Sequence, residues 1–157
     1  MRPAPRRAGE PEAERSPPPP DKQLKQVLGI WSGRLTRAEG VVLEARRARA
    51  RALEDFRAAV ALLRAARQRA RDHWDEAKRL FLQLEISSAE FVRRRAVYQK
   101  LRKLVLERHA DAQRALTLLR ECRAAVRAAE AALRVVRRQR EKFELFSQAL
   151  QQRQAEA

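Results

Sequence analysis

The sequence has few of the residues that hold a compact fold together. Of its 157 residues only Cys122 is a cysteine, which excludes an intramolecular disulfide framework and a four-cysteine zinc site. Aromatic residues make up only 5% of the chain, so a large globular core is hard to build. We therefore expect an elongated helical protein in a reducing, cytosolic setting.

Long apolar runs are missing as well. No stretch approaches the roughly 18 uncharged apolar residues that a membrane-spanning helix needs. The N-terminus is charged and has no apolar segment of the kind found in signal peptides. We expect a soluble chain that is neither exported by the Sec pathway nor inserted into a membrane.

Proline is confined to one end of the chain. All seven prolines lie in the first 20 residues, and no glycine or proline occurs from Val41 to Ala157. Each proline ring fixes φ and removes a backbone donor, so residues 1–20 are predicted to form a disordered tail rich in proline and arginine. The long run without these residues is compatible with helix throughout.

Three glycines interrupt the segment after the prolines: Gly29, Gly33 and Gly40. Each costs about 1 kcal/mol relative to alanine in a helix interior. We therefore predict a frayed or broken helical lead-in over residues 21–35, with Asp21 as its N-cap. Thr36 and Glu39 have the spacing of a capping box, which places the start of the firm helix near residue 36.

A heptad repeat then predicts a first coiled-coil helix over residues 36–85. The a positions are Leu35, Val42, Arg49, Phe56, Leu63, Ala70, Ala77 and Leu84. The d positions are Ala38, Ala45, Ala52, Ala59, Ala66, His73 and Leu80. Since alanine is small and occupies nearly every d position, a partner helix can approach closely.

The stretch LEISSAEFVRR carries a helix-start signal near the centre of the long run. The hydroxyl of Ser87 is expected to accept a hydrogen bond from the backbone N–H of Glu90, whose carboxylate reaches back to the N–H of Ser87. Ile86 can pack on Phe91 as a hydrophobic staple. These features predict a turn and N-cap at residues 86–88.

A second heptad repeat predicts a second coiled-coil helix over residues 88–153. Its a positions are Phe91, Tyr98, Val105, Ala112, Leu119, Val126 and Leu133, and its d positions are Arg94, Leu101, Arg108, Ala115, Cys122, Ala129, Val136, Phe143 and Leu150. Two long helices joined by a very short turn must be antiparallel neighbours. We therefore predict an all-α fold, a long antiparallel two-helix coiled-coil hairpin with a disordered N-terminal tail. Folding at the turn brings Phe81 close to Phe91 and Trp74 close to Tyr98.

No set of residues in the sequence indicates catalysis. His73 and His109 are the only histidines, and the hairpin places His73 near residue 99, so the two cannot share a metal ion. No glycine-rich phosphate loop occurs, and no Ser, His and Asp are placed to surround a pocket. We predict that the protein is not an enzyme and that it holds no cofactor or metal.

The charge of the chain points to an anionic partner. The formal net charge is +16, and arginines occur along both predicted helices. Such a density can neutralise phosphates, but the arginines alternate with Glu and Ala, and the aromatic platforms of single-strand binders are missing. We therefore rank nucleic-acid binding below a solvated helix face that also engages an acidic protein surface.

Three short segments of the sequence resemble one known family. They are GRLTRAEGVVLEARRARA near the start of the first helix, HWDEAKRLFLQLE before the turn and RRQREKFELF near the C-terminus. They look like the YscO/FliJ family, the central stalk proteins of type III secretion systems, and the injectisome YscO branch is the closer match. The matching residues are Trp74, Glu76, Arg79, Leu80, Phe81, Lys142, Phe143 and Leu145.

The resemblance implies a mechanical role at the cytoplasmic base of a membrane secretion apparatus. Family members insert the end formed by their two termini into a hexameric secretion ATPase, direct the opposite tip toward the export gate, and in some cases bind secretion chaperones. The residues expected at the ATPase-facing end are Arg34, Arg37, Arg46, Arg47, Arg137, Arg138, Arg140, Lys142 and Phe143. The residues expected at the tip, toward the export gate, are Trp74, Arg79, Leu80, Phe81, Phe91 and Tyr98.

Two other functions fit the sequence. A basic coiled coil that binds nucleic acid would show a steep salt dependence of its affinity for DNA. A generic coiled-coil adaptor would bind neither DNA nor the ATPase. The aromatic cluster at the tip is also open to two interpretations, since it either provides a docking surface or only closes the tip.

Overall fold

The structure, a computed structural model, describes residues 20–157 as two long α-helices. Helix α1 spans Pro20–Leu82 and helix α2 spans Ser88–Glu156. The two helices pack against each other, which confirms the predicted all-α antiparallel hairpin. At about 1.5 Å per residue, the helices are roughly 95 Å and 105 Å long. The predicted tail lies outside the described residues, apart from Pro20, which begins α1.

The interior is a single seam between the two helices. In α1 the buried residues are Leu24, Val42, Ala52, Leu63, Ala66, Ala70 and Ala77. In α2 they are Leu101, Ala112, Leu119, Val126, Ala129 and Leu133. Every one of them except Leu24 lies at an a or d position of the predicted repeats. Arg49 departs from the pattern, because it is exposed at an a position. Within residues 20–157, no helix is long and apolar enough to cross a membrane.

The start of α1 differs from the prediction. The broken lead-in over residues 21–35 and the helix start near residue 36 are wrong, because α1 is continuous from Pro20. The Thr36 hydroxyl donates to the carbonyl of Ser32 at 3.1 Å, as a side chain inside a helix does, and does not cap a helix start. Asp21 lies in the first turn of α1 and not at its N-cap.

Tertiary packing explains why the glycines do not break the helix. The first heptad repeat extends back to Trp31 and Leu24. Trp31 stacks on Phe143 of α2, and Leu24 is buried beside Ser147 and Gln151 of α2. At the very end, the Gln154 amide donates to the Asp21 carboxylate at 3.4 Å. These contacts with α2 outweigh the helix propensity lost at each glycine, about 1 kcal/mol.

The turn begins earlier than predicted, because α1 ends at Leu82 and not at residue 85. The N–H of Glu85 donates to the carbonyl of Leu80 at 2.9 Å, and the N–H of Leu84 donates to the carbonyl of Phe81 at 3.1 Å. Together with the positive φ of 57° at Leu84, this is the Schellman arrangement that closes a helix. Leu84 is therefore a turn residue and not part of the heptad seam.

Helix α2 starts where the sequence predicts. Ser87 is its N-cap, with extended backbone angles, and its hydroxyl accepts from the N–H of Glu90 at 3.1 Å. The Glu90 carboxylate pairs with Arg94 at 3.6 Å. Capping by Ser87 thus orients the first turn of α2. At its other end, α2 continues to Glu156, three residues beyond the predicted end at residue 153.

Candidate functional sites at the tip and the open end

Four aromatic rings form a stacked ladder between the helices beside the turn, the end that we call the tip. Phe81 and Phe91 have ring centroids 4.5 Å apart, and Trp74 lies 5.6 Å from Phe91 and 4.8 Å from Tyr98. Each pair joins α1 to α2 and contributes about 1 kcal/mol beyond its area burial. All four predicted aromatic residues therefore meet at the tip, where they hold the two helices together.

Two further predicted tip residues lie on the last turn of α1. Leu80 is half-buried, and its carbonyl accepts the closing hydrogen bond of the turn. Arg79 is exposed, and its guanidinium donates to the Gln83 side chain at 3.4 Å. A cation in the last turn of a helix is favourable next to the negative end of the helix dipole. Leu80 is therefore part of the packing, whereas Arg79 remains accessible from solvent.

The most exposed apolar side chains of the tip are not those that the sequence indicated. Leu82 is 80% exposed and Leu84 is 90% exposed, compared with 37% for Phe81. The heptad repeat assigned Leu84 to the seam, and Leu82 was not singled out. The sequence did contain a signal for Leu84. Many helices end with one residue in the left-handed region, and because this turn has no glycine, another residue takes that conformation. Leu82 and Leu84 form the accessible apolar part of the tip.

The His73 ring contacts α2 at a residue closer to the tip than predicted. Its Nε2–H donates to the carbonyl of Arg94 at 3.1 Å, whereas the prediction placed it near residue 99. The register of the hairpin is nevertheless the predicted one, because Trp74 pairs with Tyr98 and Phe81 pairs with Phe91. Within residues 20–157, no group of three or more His, Cys, Asp or Glu residues is arranged to hold a metal ion.

The opposite end, which we call the open end, has a smaller aromatic contact. Trp31 and Phe143 stack with centroids 6.1 Å apart, and the Arg34 guanidinium lies 4.7 Å from the centroid of the Trp31 ring. Cation–π contacts of this kind contribute about 0.5–1 kcal/mol at exposed sites. The structure thus brings together Arg34 and Phe143, two of the residues predicted for the ATPase-facing end. Trp31, which joins them, was not in the predicted set.

Two ion pairs link the helices farther along the shaft. Arg46 lies 3.0 Å from Glu130, and Arg137 lies 3.9 Å from Glu39. Since all four side chains remain at least one-third accessible to water, each pair contributes about 1 kcal/mol or less. Arg46 and Arg137 therefore help to set the pairing of the helices and are only partly available to another protein.

The remaining predicted residues of this region differ in their accessibility. Arg140 is half-buried, pairs with Glu144 at 3.1 Å and has a buried Nε without a hydrogen-bond partner. Arg37 donates to the carbonyl of Gly33 at 3.4 Å. Arg47, Arg138 and Lys142 are exposed, and none has a carboxylate oxygen within 4 Å among the described residues.

The cations predicted for the ATPase-facing end, which we call the basic cluster, lie along the shaft next to the open end and not at its last turn. Arg34 and Arg47 are roughly 20 Å and 40 Å along α1 from Pro20. Beside the cluster, Leu145 and Phe146 are 65% and 57% exposed and line a shallow depression of about 660 Å³ together with neighbouring residues of α2. The open end thus presents accessible cations next to exposed apolar side chains.

These features define the class of the protein as an antiparallel two-helix coiled-coil hairpin with chemically different ends. No protein-family model matches the sequence, and no curated protein or solved structure gives a significant match.

Proposed function

We propose that the chain is a non-enzymatic stalk protein of a type III secretion export apparatus, of the YscO/FliJ kind. The observation that carries the proposal is one stiff rod with an accessible surface near each of its two ends. The tip has exposed leucines over an aromatic ladder, whereas the open end has exposed cations around Trp31 and Phe143. The motif residues named above for the resemblance fall at these two regions.

The open end is the part proposed to enter the central hole of a hexameric secretion ATPase. A two-helix rod is narrow, because each helix is about 10–12 Å across. Arg47, Arg138 and Lys142 are free to contact acidic groups of the ATPase, whereas the ion pairs of Arg46 and Arg137 keep the two helices in register. A rod that keeps its register can transmit force or position along its length.

The tip is proposed to contact the export gate. Leu82 and Leu84 are the residues best placed for that contact, since the four aromatic rings are mainly engaged with one another. The protein would act at the cytoplasmic base of the secretion apparatus. Binding of secretion chaperones by the same exposed surfaces is a further part of the proposal.

The decisive experiment measures ATP hydrolysis by the cognate secretion ATPase with and without the full-length protein, together with the oligomeric state of the ATPase. The proposal expects faster turnover and a stabilised hexamer. The triple variant Arg47→Gln, Arg138→Gln, Lys142→Gln should lose most of the stimulation. A control with the same net charge, Arg69→Gln, Arg93→Gln, Lys100→Gln, changes cations away from the open end and should retain it.

A second measurement separates the two ends. Leu82→Ser with Leu84→Ser should abolish secretion in cells while leaving the stimulation of ATP hydrolysis unchanged. If the folded wild-type protein alters neither ATP turnover nor hexamer formation, the stalk proposal is wrong. Salt-sensitive binding to DNA would then favour a nucleic-acid-binding coiled coil.

A further inference from the structure

The charges of the hairpin are segregated between its two long sides over the third nearest the tip. The ion pairs Arg46–Glu130 and Glu39–Arg137 join heptad e positions, so the e positions of both helices lie on one side of the seam. On that side, the b and e positions of residues 64–81 and 92–109 include no acidic residue. We call this side the basic face.

Six exposed cations lie on the basic face: Arg64, Arg67, Arg71, Lys78, Arg95 and Arg102. The c and g positions of the same segments lie on the opposite side and have mixed charges. They include the cations Arg69, Arg79, Arg93 and Lys100 and the acids Asp72, Glu76 and Glu107. Because the basic face has no acids of its own, a net positive field extends over roughly 26 Å of α1.

The cations of the basic face are available to a partner. Among the described residues, Lys78 is the one member with a carboxylate nearby, the Asp75 side chain at 3.6 Å. Arg67, Arg71 and Arg102 surround a concavity of about 300 Å³ that also reaches Tyr98. Three guanidinium groups around one shallow site favour an oxyanion as its occupant.

Exposed apolar side chains alternate with these cations. Leu106 is 70% exposed and Val92 is 63% exposed, both at b positions of the basic face, and Phe81 is 37% exposed at an e position. A cluster of several Lys and Arg residues attracts anionic lipid, and neighbouring apolar side chains that can reach the acyl boundary add to the binding. Side chains such as Leu106 gain nothing next to the phosphates of a nucleic acid.

The aromatic rings of the basic face are also poorly placed for stacking on bases. Trp74 and Tyr98 stack on each other, and a cation lies over each ring, Lys78 at 5.9 Å and Arg102 at 5.9 Å. A protein that binds single-stranded nucleic acid needs open ring faces for the bases. The combination of apolar side chains and occupied rings favours lipid over nucleic acid.

We propose that the basic face docks the part of the hairpin nearest the tip onto the surface of an anionic phospholipid bilayer. The cations bind headgroup phosphates and carboxylates, and Leu106, Val92 and Phe81 enter the interface. The attachment is peripheral and reversible, and it does not depend on the proposed stalk function.

The test is sedimentation of the full-length protein with vesicles of phosphatidylcholine alone or with about 30% phosphatidylserine. Binding is expected only to the anionic vesicles and should weaken as salt rises. The variant Arg64→Gln, Arg67→Gln, Arg95→Gln should lower the partition coefficient about 100-fold. The control Arg69→Gln, Arg93→Gln, Lys100→Gln has the same net charge and should lower it only several-fold. Far-UV circular dichroism checks that both variants keep the wild-type fold.

Three results would overturn the proposal. One is equal binding of the wild-type protein to neutral and anionic vesicles. Another is an equal decrease of the partition coefficient in the two triple variants, which would mean that only the net charge of the protein matters. The third is tight binding of duplex or single-stranded nucleic acid that depends on the basic face, without binding to anionic vesicles. The variant Leu106→Gln sharpens the distinction, because it should weaken binding to vesicles but not to nucleic acid. Since no ATPase is present, failure here leaves the stalk proposal untouched.

Discussion

Trp74 and Tyr98 stack with their ring centroids 4.8 Å apart, although each belongs to a different helix and the turn lies between them. The pair shows how the register of the hairpin is fixed near the tip. Below it along the shaft the seam contains several alanines, such as Ala66, Ala70 and Ala112, which bury little area. The aromatic ladder therefore contributes a large share of the helix–helix packing energy.

Removing a ring from this ladder should destabilise the hairpin. Trp74→Ala deletes two of the stacking contacts, and because Trp74 is half-buried we expect a loss of about 2–3 kcal/mol in the free energy of unfolding. Urea unfolding followed by circular dichroism measures this loss. Leu82→Ala is the control, because its side chain is largely exposed and its removal should change stability by less than about 0.5 kcal/mol. Equal effects of the two variants would mean that the ladder does not hold the helices.

The strained position in the turn predicts a stabilising substitution. Leu84 has a φ of 57° and a side chain that is 90% exposed, so Leu84→Gly relieves backbone strain and loses little packing. We expect a gain of about 1 kcal/mol in the free energy of unfolding, read as a higher Tm. Leu84→Ala removes the same side chain but keeps a Cβ in the left-handed region, so its Tm should stay close to that of the wild type. A Tm for Leu84→Gly below that of Leu84→Ala would contradict the Schellman turn.

The glycines of α1 give a second class of stabilising changes. A Cβ added at Gly29 or Gly40 meets no atom within 4 Å, so alanine fits at both positions. Each substitution should stabilise the protein by about 0.5–1 kcal/mol, because it improves helix propensity and restricts the unfolded chain. Thermal unfolding measures the gain.

Hydrogen exchange gives an independent check on the same segment. If residues 24–40 are helical and packed against α2, their amides should be protected in the wild type, and more strongly in the Gly29→Ala, Gly40→Ala double variant. Rapid exchange in both proteins would restore the interpretation of a frayed lead-in.

The N-cap of α2 predicts different effects for two adjacent serines. Ser87→Ala removes the hydroxyl that accepts from the N–H of Glu90 and should cost about 1 kcal/mol of stability. Ser88→Ala is the matched control at the first helical position, where alanine is well tolerated, and should be close to neutral. The unfolding midpoints of the two variants measure this difference. A larger loss of stability in Ser88→Ala than in Ser87→Ala would place the cap at Ser88.

The seam was predictable because its information is local and repetitive. A heptad repeat defines which side of each helix is apolar, and the Ser87 cap defines where the second helix begins, so Val42, Leu63, Leu119 and Leu133 were identified as interior residues. The pairing of Phe81 with Phe91 and of Trp74 with Tyr98 followed once the turn was located. An antiparallel hairpin with a short turn leaves only one register.

The exposed surfaces were less predictable. Leu82 and Leu84 were missed because the repeat continues formally to residue 84, whereas the backbone has already turned. Arg46 and Arg137 were expected to be accessible, but each pairs with a carboxylate of the other helix. Such cross-helix pairs depend on which side chains face each other.

By itself, the sequence determined that two helices form, which stripe of each is buried and where the second one starts, because periodicity and capping act over a few residues. Only the tertiary structure decided that the glycine-containing segment of α1 is helical, because its stability comes from Leu24 and Trp31 packing on α2. The tertiary structure also joined the acid-free sides of both helices into the basic face. Neighbouring e positions meet only when the chain has folded back on itself.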